Sequence, residues 1–223
     1  SMEENVAYRY SSSCMLLGMC YGSLDLKSAL RQMEYGMIYN DSQCCNNGHR
    51  LNILNPQHNQ VSIGIAYNKS TAYFVEDFVD SYIKWSENSP SFSNGMVYLW
   101  GNLVPGNVIS SVSIGYDAPL ASMSLAQLAN TSAYNYGDQI AGVVNSPSFY
   151  YVGLKTIVAK QFSTHNNNFN IVFSINSLIS NYSAGEYTVM IWLNNTSSNA
   201  SFVGSTYTIF IDRSGKEYIP QNV

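Results

Sequence analysis

From Asn88 to Ile211 the chain carries only five charged residues, Asp117, Asp138, Lys155, Lys160 and Glu186. Within that stretch, short runs rich in β-forming residues recur between Gly, Asn, Pro and Ser breakers. The pattern predicts strands near 96–103, 108–115, 139–144, 150–159, 169–176, 186–193 and 205–211. Seven short strands in so short a span point to an all-β antiparallel sandwich of immunoglobulin-like type over 96–213. No Cys–Trp–Cys signature accompanies them, so homology to true immunoglobulin domains is not supported. A short helix is expected within 118–133, where Leu120, Met123, Leu125 and Leu128 have mixed spacing, and no internal repeat is visible.

The N-terminal third has a different texture. Leu26, Leu30, Met33 and Met37 recur at helical spacing, with Ser23 or Asp25 available as a cap, and the stripe reads as a core face. Residues 61–67 and 71–79 alternate β-formers around Asn68-Lys69-Ser70 and predict a hairpin. The turn-rich stretch 86–95, Ser-Glu-Asn-Ser-Pro-Ser-Phe-Ser-Asn-Gly, reads as a linker. The expected organisation is an α/β domain over 1–85, the linker 86–95, the sandwich 96–213 and a tail 214–223, an α+β chain overall.

A length of 223 residues with 46% hydrophobic content suffices for one large or two ordinary domains. Charged residues make up only 11%, so the polar surface rests on 25 Asn, 18 Tyr, Ser and Thr, whose solvation hardly depends on pH. Such a surface suits an extracellular protein. A net charge of −4 with no basic run argues against nucleic-acid binding. No apolar stretch approaches the roughly 20 residues that span a bilayer, and no signal peptide is evident. Ser1-Met2 reads as a remnant of expression.

Sequons at Asn40, Asn68, Asn130, Asn181, Asn194, Asn195 and Asn199 are candidate glycosylation sites, and the 194–199 cluster reads as an exposed loop. All four cysteines lie early: Cys14, Cys20, Cys44 and Cys45. A vicinal Cys44–Cys45 bond is strained, so two bridges from the Cys14/Cys20 loop to the Cys44/Cys45 loop are expected. Four reduced core cysteines, or a metal cluster, are the alternatives, although Cys-x5-Cys followed by Cys-Cys does not match common zinc spacings.

Three segments carry a family resemblance: Glu4-Asn5-Val6-Ala7-Tyr8, Gly48-His49-Arg50-Leu51-Asn52-Ile53-Leu54-Asn55-Pro56 and Tyr73-Phe74-Val75-Glu76-Asp77-Phe78. In order and rough spacing, over about residues 3–80, they resemble the secreted CAP (SCP/PR-1-like) domain. The resemblance implies a CAP-like α/β domain, partial at its N-terminus, with a cleft that holds two His and two acids. His49 matches the motif His and Glu4 the motif acid; the second acid would be Asp41, with Glu34 the other candidate, and the early His has no counterpart. His49 and Glu4 would face one cleft and could hold a divalent metal such as zinc, although two ligands hold zinc poorly. Otherwise His49 is a buried hydrogen-bonding residue that fixes the loop entering Asn52. His58 reads as a turn residue and His165 as a loop residue.

No nucleophile elbow, His-Glu-x-x-His, phosphate loop or dinucleotide fingerprint is present. The expectation is therefore a secreted or cell-surface protein with a binding or adhesion role, more a binder than an enzyme and with no cofactor. Its partners would be carbohydrate, a surface assembly, or another protein chain covering the incomplete CAP core. The alternatives are a metal-assisted hydrolase using His49, Glu4 and Asp41, or a small-lipid or sterol binder.

Overall fold

The computed structural model describes residues 2–11, 13–14, 20–119, 124, 126–127 and 137–218, with the side chains of 2, 13–14, 20–21 and 44–45 excepted. The expected helix in 118–133 and the four cysteine side chains lie outside the described residues. The chain divides into two compact units, Ser1–Ser81 and Tyr82–Val223.

In the first unit, strands β1 (Met2–Tyr10), β4 (Gln60–Tyr67) and β5 (Thr71–Val79) form an antiparallel sheet in the order β1-β5-β4. Between β1 and β4 the chain makes the short β2–β3 ladder (Ser13–Cys14 with Cys20–Tyr21) and helices α1 (Leu26–Tyr39), α2 (Ser42–Cys45) and α3 (Gly48–Leu54). Two-residue alternation places Ala72, Phe74, Glu76 and Phe78 of β5 on one buried face. Helix α1 presents Ala29, Met33 and Met37, spaced four apart, to that face, and Met33 and Met37 cluster with Ala72 and Phe74. Asp25 stands at the N-cap, but its side chain makes no capping bond; its carbonyl accepts from Ala29 N–H at 2.9 Å.

This arrangement corrects the CAP resemblance. A CAP domain layers helices on both sides of its sheet. Here the chain is mostly β, 51% strand and 17% helix with three main sheets. The opposite face of the three-stranded sheet shows Val6, Tyr8, Tyr10 and Tyr73 to solvent. Short motifs fix local turns and strand alternation; they do not fix how many layers pack on a sheet.

The second unit is all-β apart from α4 (Asn176–Tyr182) and the partly described stretch before β10. One five-stranded sheet runs β11 (Lys155–Val158), β10 (Asp138–Val144), β9 (Asn107–Asp117), β14 (Gly185–Asn195), β15 (Ser201–Ile211), antiparallel except for the β10–β11 pair. The other runs β12 (Gln161–His165), β13 (Asn168–Ser174), β8 (Met96–Leu103), β6 (Ile83–Trp85), with β7 (Ser91–Ser93) also on β8. Both sheets contribute to a single core: Val97, Leu99, Ile171 and Phe173 from one, Val112, Ile114, Val189, Ile191 and Ile209 from the other. Each such side chain contributes about 1.5–3 kcal/mol by leaving water.

Residues 83–85 and 91–93, read respectively as the end of the first domain and as linker, are edge strands of the second unit. Three-residue strands carry too little periodicity to reveal themselves. His165 is the last residue of β12, opposite Asn168 across a two-residue turn whose Asn166 has φ +53°. In the 194–199 loop Asn199 is exposed. The half-buried Asn195 accepts from Ser197 N–H and Ser198 N–H at 3.0 Å, so it builds the loop it was expected to display.

An aromatic knot holds α4 to the sheet. The Tyr116 hydroxyl lies 2.8 Å from the carbonyls of Tyr182 and Ala184, and its ring sits 4.9 Å from that of Tyr182 and 5.1 Å from that of Tyr187. Tyr187 is fully buried and donates to Ser183 O at 2.7 Å. Burial first, then Tyr116 and Tyr182, push its phenol upward, so it stays a donor at any ordinary pH. Tyr187→Phe deprives the Ser183 carbonyl of that donor and is expected to destabilise the second unit by about 1–2 kcal/mol in urea unfolding. An unchanged midpoint would show the bond to be dispensable.

Candidate functional site

Polar side chains collect where α1, α3 and the inner face of the three-stranded sheet meet. His49, near the start of α3, places Nδ1 2.7 Å from Asp41 Oδ1, and Asp41 Oδ2 accepts from Arg50 N–H at 3.1 Å. Asn5, fully buried on β1, donates through Nδ2 to the His49 carbonyl at 3.0 Å and lies 3.5 Å from Glu76 Oε2. The Asn52 side-chain amide stands 2.9 Å from Asn5 Oδ1. A left-handed turn at Asn46 and Asn47 starts α3 so that His49 and Arg50 both face Asp41.

The two acids respond oppositely. Burial opposes ionisation of Asp41, but the hydrogen bonds from the His49 ring and Arg50 N–H outweigh it and hold this carboxyl below its usual range. Glu76 is pushed up to about 7, first by burial and then by the carboxylate of Glu34 beside it; Asn5 and His49 pull the other way without cancelling the rise. Glu34 Oε2 is itself buried without a hydrogen-bond partner. Chemically this is an oriented imidazole near two neighbouring carboxyl groups, of which Glu76 keeps its proton up to about neutrality.

The structure joins His49 to Asp41 but separates His49 from Glu4. On β1 Asn5 points inward, so Glu4 and its cross-strand neighbour Asp77 lie on the other face, and Glu4 is exposed. His49 and Glu4 are therefore not a ligand pair. Among the described residues, no group of three or more His, Cys, Asp or Glu could hold a metal ion. Glu76 and Asn5 were missed as site residues. A lone acid in phase with Ala72, Phe74 and Phe78 was the available signal for Glu76.

His58, read as a turn residue, is instead held at both ring nitrogens: Nδ1 lies 2.7 Å from Asp80 Oδ1 and Nε2 2.9 Å from Glu3 Oε2. Its ring stacks on Phe78 at 5.4 Å. The Asn55 side-chain amide lies 3.3 Å from the same Nε2, so three polar side chains surround the ring.

A second candidate lies on the all-β unit, an uncharged groove of about 460 Å³ lined by Ile109, Ser111, Val143, Tyr150, Tyr151 and Phe162, among others. Gly142 makes room for it. A Cβ there would come within 2.2 Å of the Tyr151 ring, so only glycine lets that ring lie against β10. The Tyr151 N–H donates to Thr156 Oγ1 at 3.0 Å, tying the rim to β11.

No protein-family model matches the chain, and no curated protein matches it either. The three motif segments thus remain isolated likenesses, and the chain is not assigned to the CAP family.

Two outcomes follow from the polar cluster. A glutamate raised from 4.5 to about 7 on folding stabilises fully below 4.5, and that contribution is lost as pH rises through 7. In Glu76→Gln the decline of first-unit stability between about pH 5 and about pH 8 should largely vanish in urea titrations; an unaltered slope would place the titration elsewhere. His58→Leu strands the buried Asp80 carboxylate and should cost about 3–5 kcal/mol, read as loss of the first unit's cooperative melt at lower temperature.

Proposed function

We propose that this is a secreted or cell-surface binding protein, with the second unit an immunoglobulin-like β-sandwich that carries an adhesive groove. The observation that carries the reading is the rim of that groove. Phe149, Tyr150 and Val152 stand 61%, 77% and 87% exposed on one loop. Folding gains nothing from leaving such side chains in water, whereas an aromatic rim supplies contact area at little entropic cost when a partner arrives. The lining holds no charge, and Ser110, Ser111, Asn145 and Thr164 offer hydroxyl and amide groups. Such a set suits an uncharged partner, the apolar face of a sugar or a neutral protein loop. The Asn- and Tyr-rich, charge-poor composition supports an extracellular setting.

The test is retention of beads coated with the full chain on glycan-coated and protein-coated surfaces. Retention should exceed that of beads coated with an unrelated protein and persist in high salt, because the contacts are uncharged. Phe149→Ala with Tyr150→Ala should reduce it at least tenfold. Retention no better than the control, or unaffected by the double substitution, would end this assignment of the groove.

A further inference from the structure

We propose that two copies of this chain pair through β4, each copy's strand lying antiparallel to the other about a two-fold axis at Gly64. Strand β4 is the edge of the three-stranded sheet, and every one of its eight residues is exposed. Edge strands ordinarily carry a charge, a proline or a bulge that blocks pairing. β4 reads Gln-Val-Ser-Ile-Gly-Ile-Ala-Tyr, without charge or proline, and its register with β5 is unbroken from Gln60↔Val79 to Tyr67↔Ala72.

The hairpin fixes which backbone groups are free. Asn68 N–H donates to Thr71 O at 2.9 Å. By the alternation of antiparallel ladders, residues 60, 62, 64 and 66 then bond to β5, and Val61, Ile63, Ile65 and Tyr67 turn their N–H and C=O outward. Among the described residues no strand meets that side. With the axis at Gly64, Val61 of one copy lies opposite Tyr67 of the other, and Ile63 opposite Ile65. Each outward-bonding residue meets another, and the whole strand is used. An isologous contact of this kind closes as a dimer.

Side chains and the glycine agree with this register. Val61, Ile63, Ile65 and Tyr67 share the face that carries Phe74 and Phe78 but remain 46% to 66% exposed. Pairing would join the two apolar rows into one. Gly64 has no need within the chain to be glycine, since a Cβ there would make only an ordinary 3.7 Å contact with Val75. At the axis it becomes a non-hydrogen-bonded pair with its own copy, where opposed chains come closest. The four side chains expose roughly 400 Å² per copy, about 800 Å² in a pair, below the ~1,200–2,000 Å² of stable complexes. The dimer is therefore of the weak class, and arrays of chains on a surface would multiply it.

Sedimentation velocity on the full chain from about 1 μM to about 500 μM, a range that brackets weak association, tests the proposal. The native chain should shift from monomer to dimer across that range. Ile63→Lys with Ile65→Lys opposes like charges across the axis and should stay monomeric throughout. Ile63→Lys with Ile65→Glu sets the introduced lysine of each copy opposite the introduced glutamate of the other and should restore the dimer. Tyr8→Ser with Tyr73→Ser, on the other face of the sheet, should dimerise like the native chain, as should Phe149→Ala with Tyr150→Ala. A native chain that stays monomeric, a double-lysine variant that dimerises, a lysine–glutamate variant that does not, or loss of the dimer on substituting Tyr8 and Tyr73 would each overturn the β4 pairing. The groove assignment is untouched by any of these results.

Discussion

The β9–β14 ladder is the interaction on which the larger unit depends. It runs from Glu186↔Asp117 to Asn195↔Asn107 and forms the middle of its sheet. Val112, Ile114, Val189 and Ile191 on this ladder are all but inaccessible to solvent. Because successive side chains alternate faces, the hydrogen bonds that hold the ladder in register also decide that these four enter the core; a slip of one residue would turn them all out. Several polar residues on the reverse side pair with one another there, although Asn194 Oδ1 is buried without a hydrogen-bond partner. Trp192 Nε1 and Gln139 Nε2 both donate to Ser113 Oγ, and the Thr188 and Thr208 hydroxyls lie 3.2 Å apart. A sheet nearly free of charge can bury its centre on both sides at little desolvation cost.

The smaller unit solves a different problem. Three strands bury too little by themselves, and α1 covers only the part of the inner face over Ala72 and Phe74. Much of the remaining order comes from polar contacts: Asp41 on His49, Asn5 on the His49 carbonyl, and Glu3 and Asp80 on His58. These bonds tie α3 and the β5 exit to β1, whose residues are about 45 to 75 positions away in sequence. A buried polar network stabilises most when every member is paired, and the proton that Glu76 keeps up to about neutrality is an adjustable part of this one. Apolar surface left on β4 and on the outer face of β1 and β5 follows from the same shortage of cover.

Local pattern was legible in the sequence wherever a run was long enough to show its period. The helix at 26–39, the hairpin of β4 and β5, and the long strands β8, β9, β13, β14 and β15 all follow from alternation or helical spacing within one element. Strands of three residues, such as β6 and β7, contain less than two periods and acquire strand geometry only by pairing with β8. The helix at 176–182 begins after Ile175 with no side-chain cap, so no start signal marked it.

Polar residues were the hardest to place, because their roles depend on what lies opposite them. The sequence by itself determined a β-rich, charge-poor chain with Asp41 close enough along the chain to His49 to meet it. Only the tertiary structure decided that Glu4 turns away while Asn5 turns in, that Glu76 is buried beside Glu34, and that His58 sits between Glu3 and Asp80. The physical reason is one of range. Periodicity acts between neighbours and is written in the chain, whereas the partner of a buried charge is set by which distant strand packs against it.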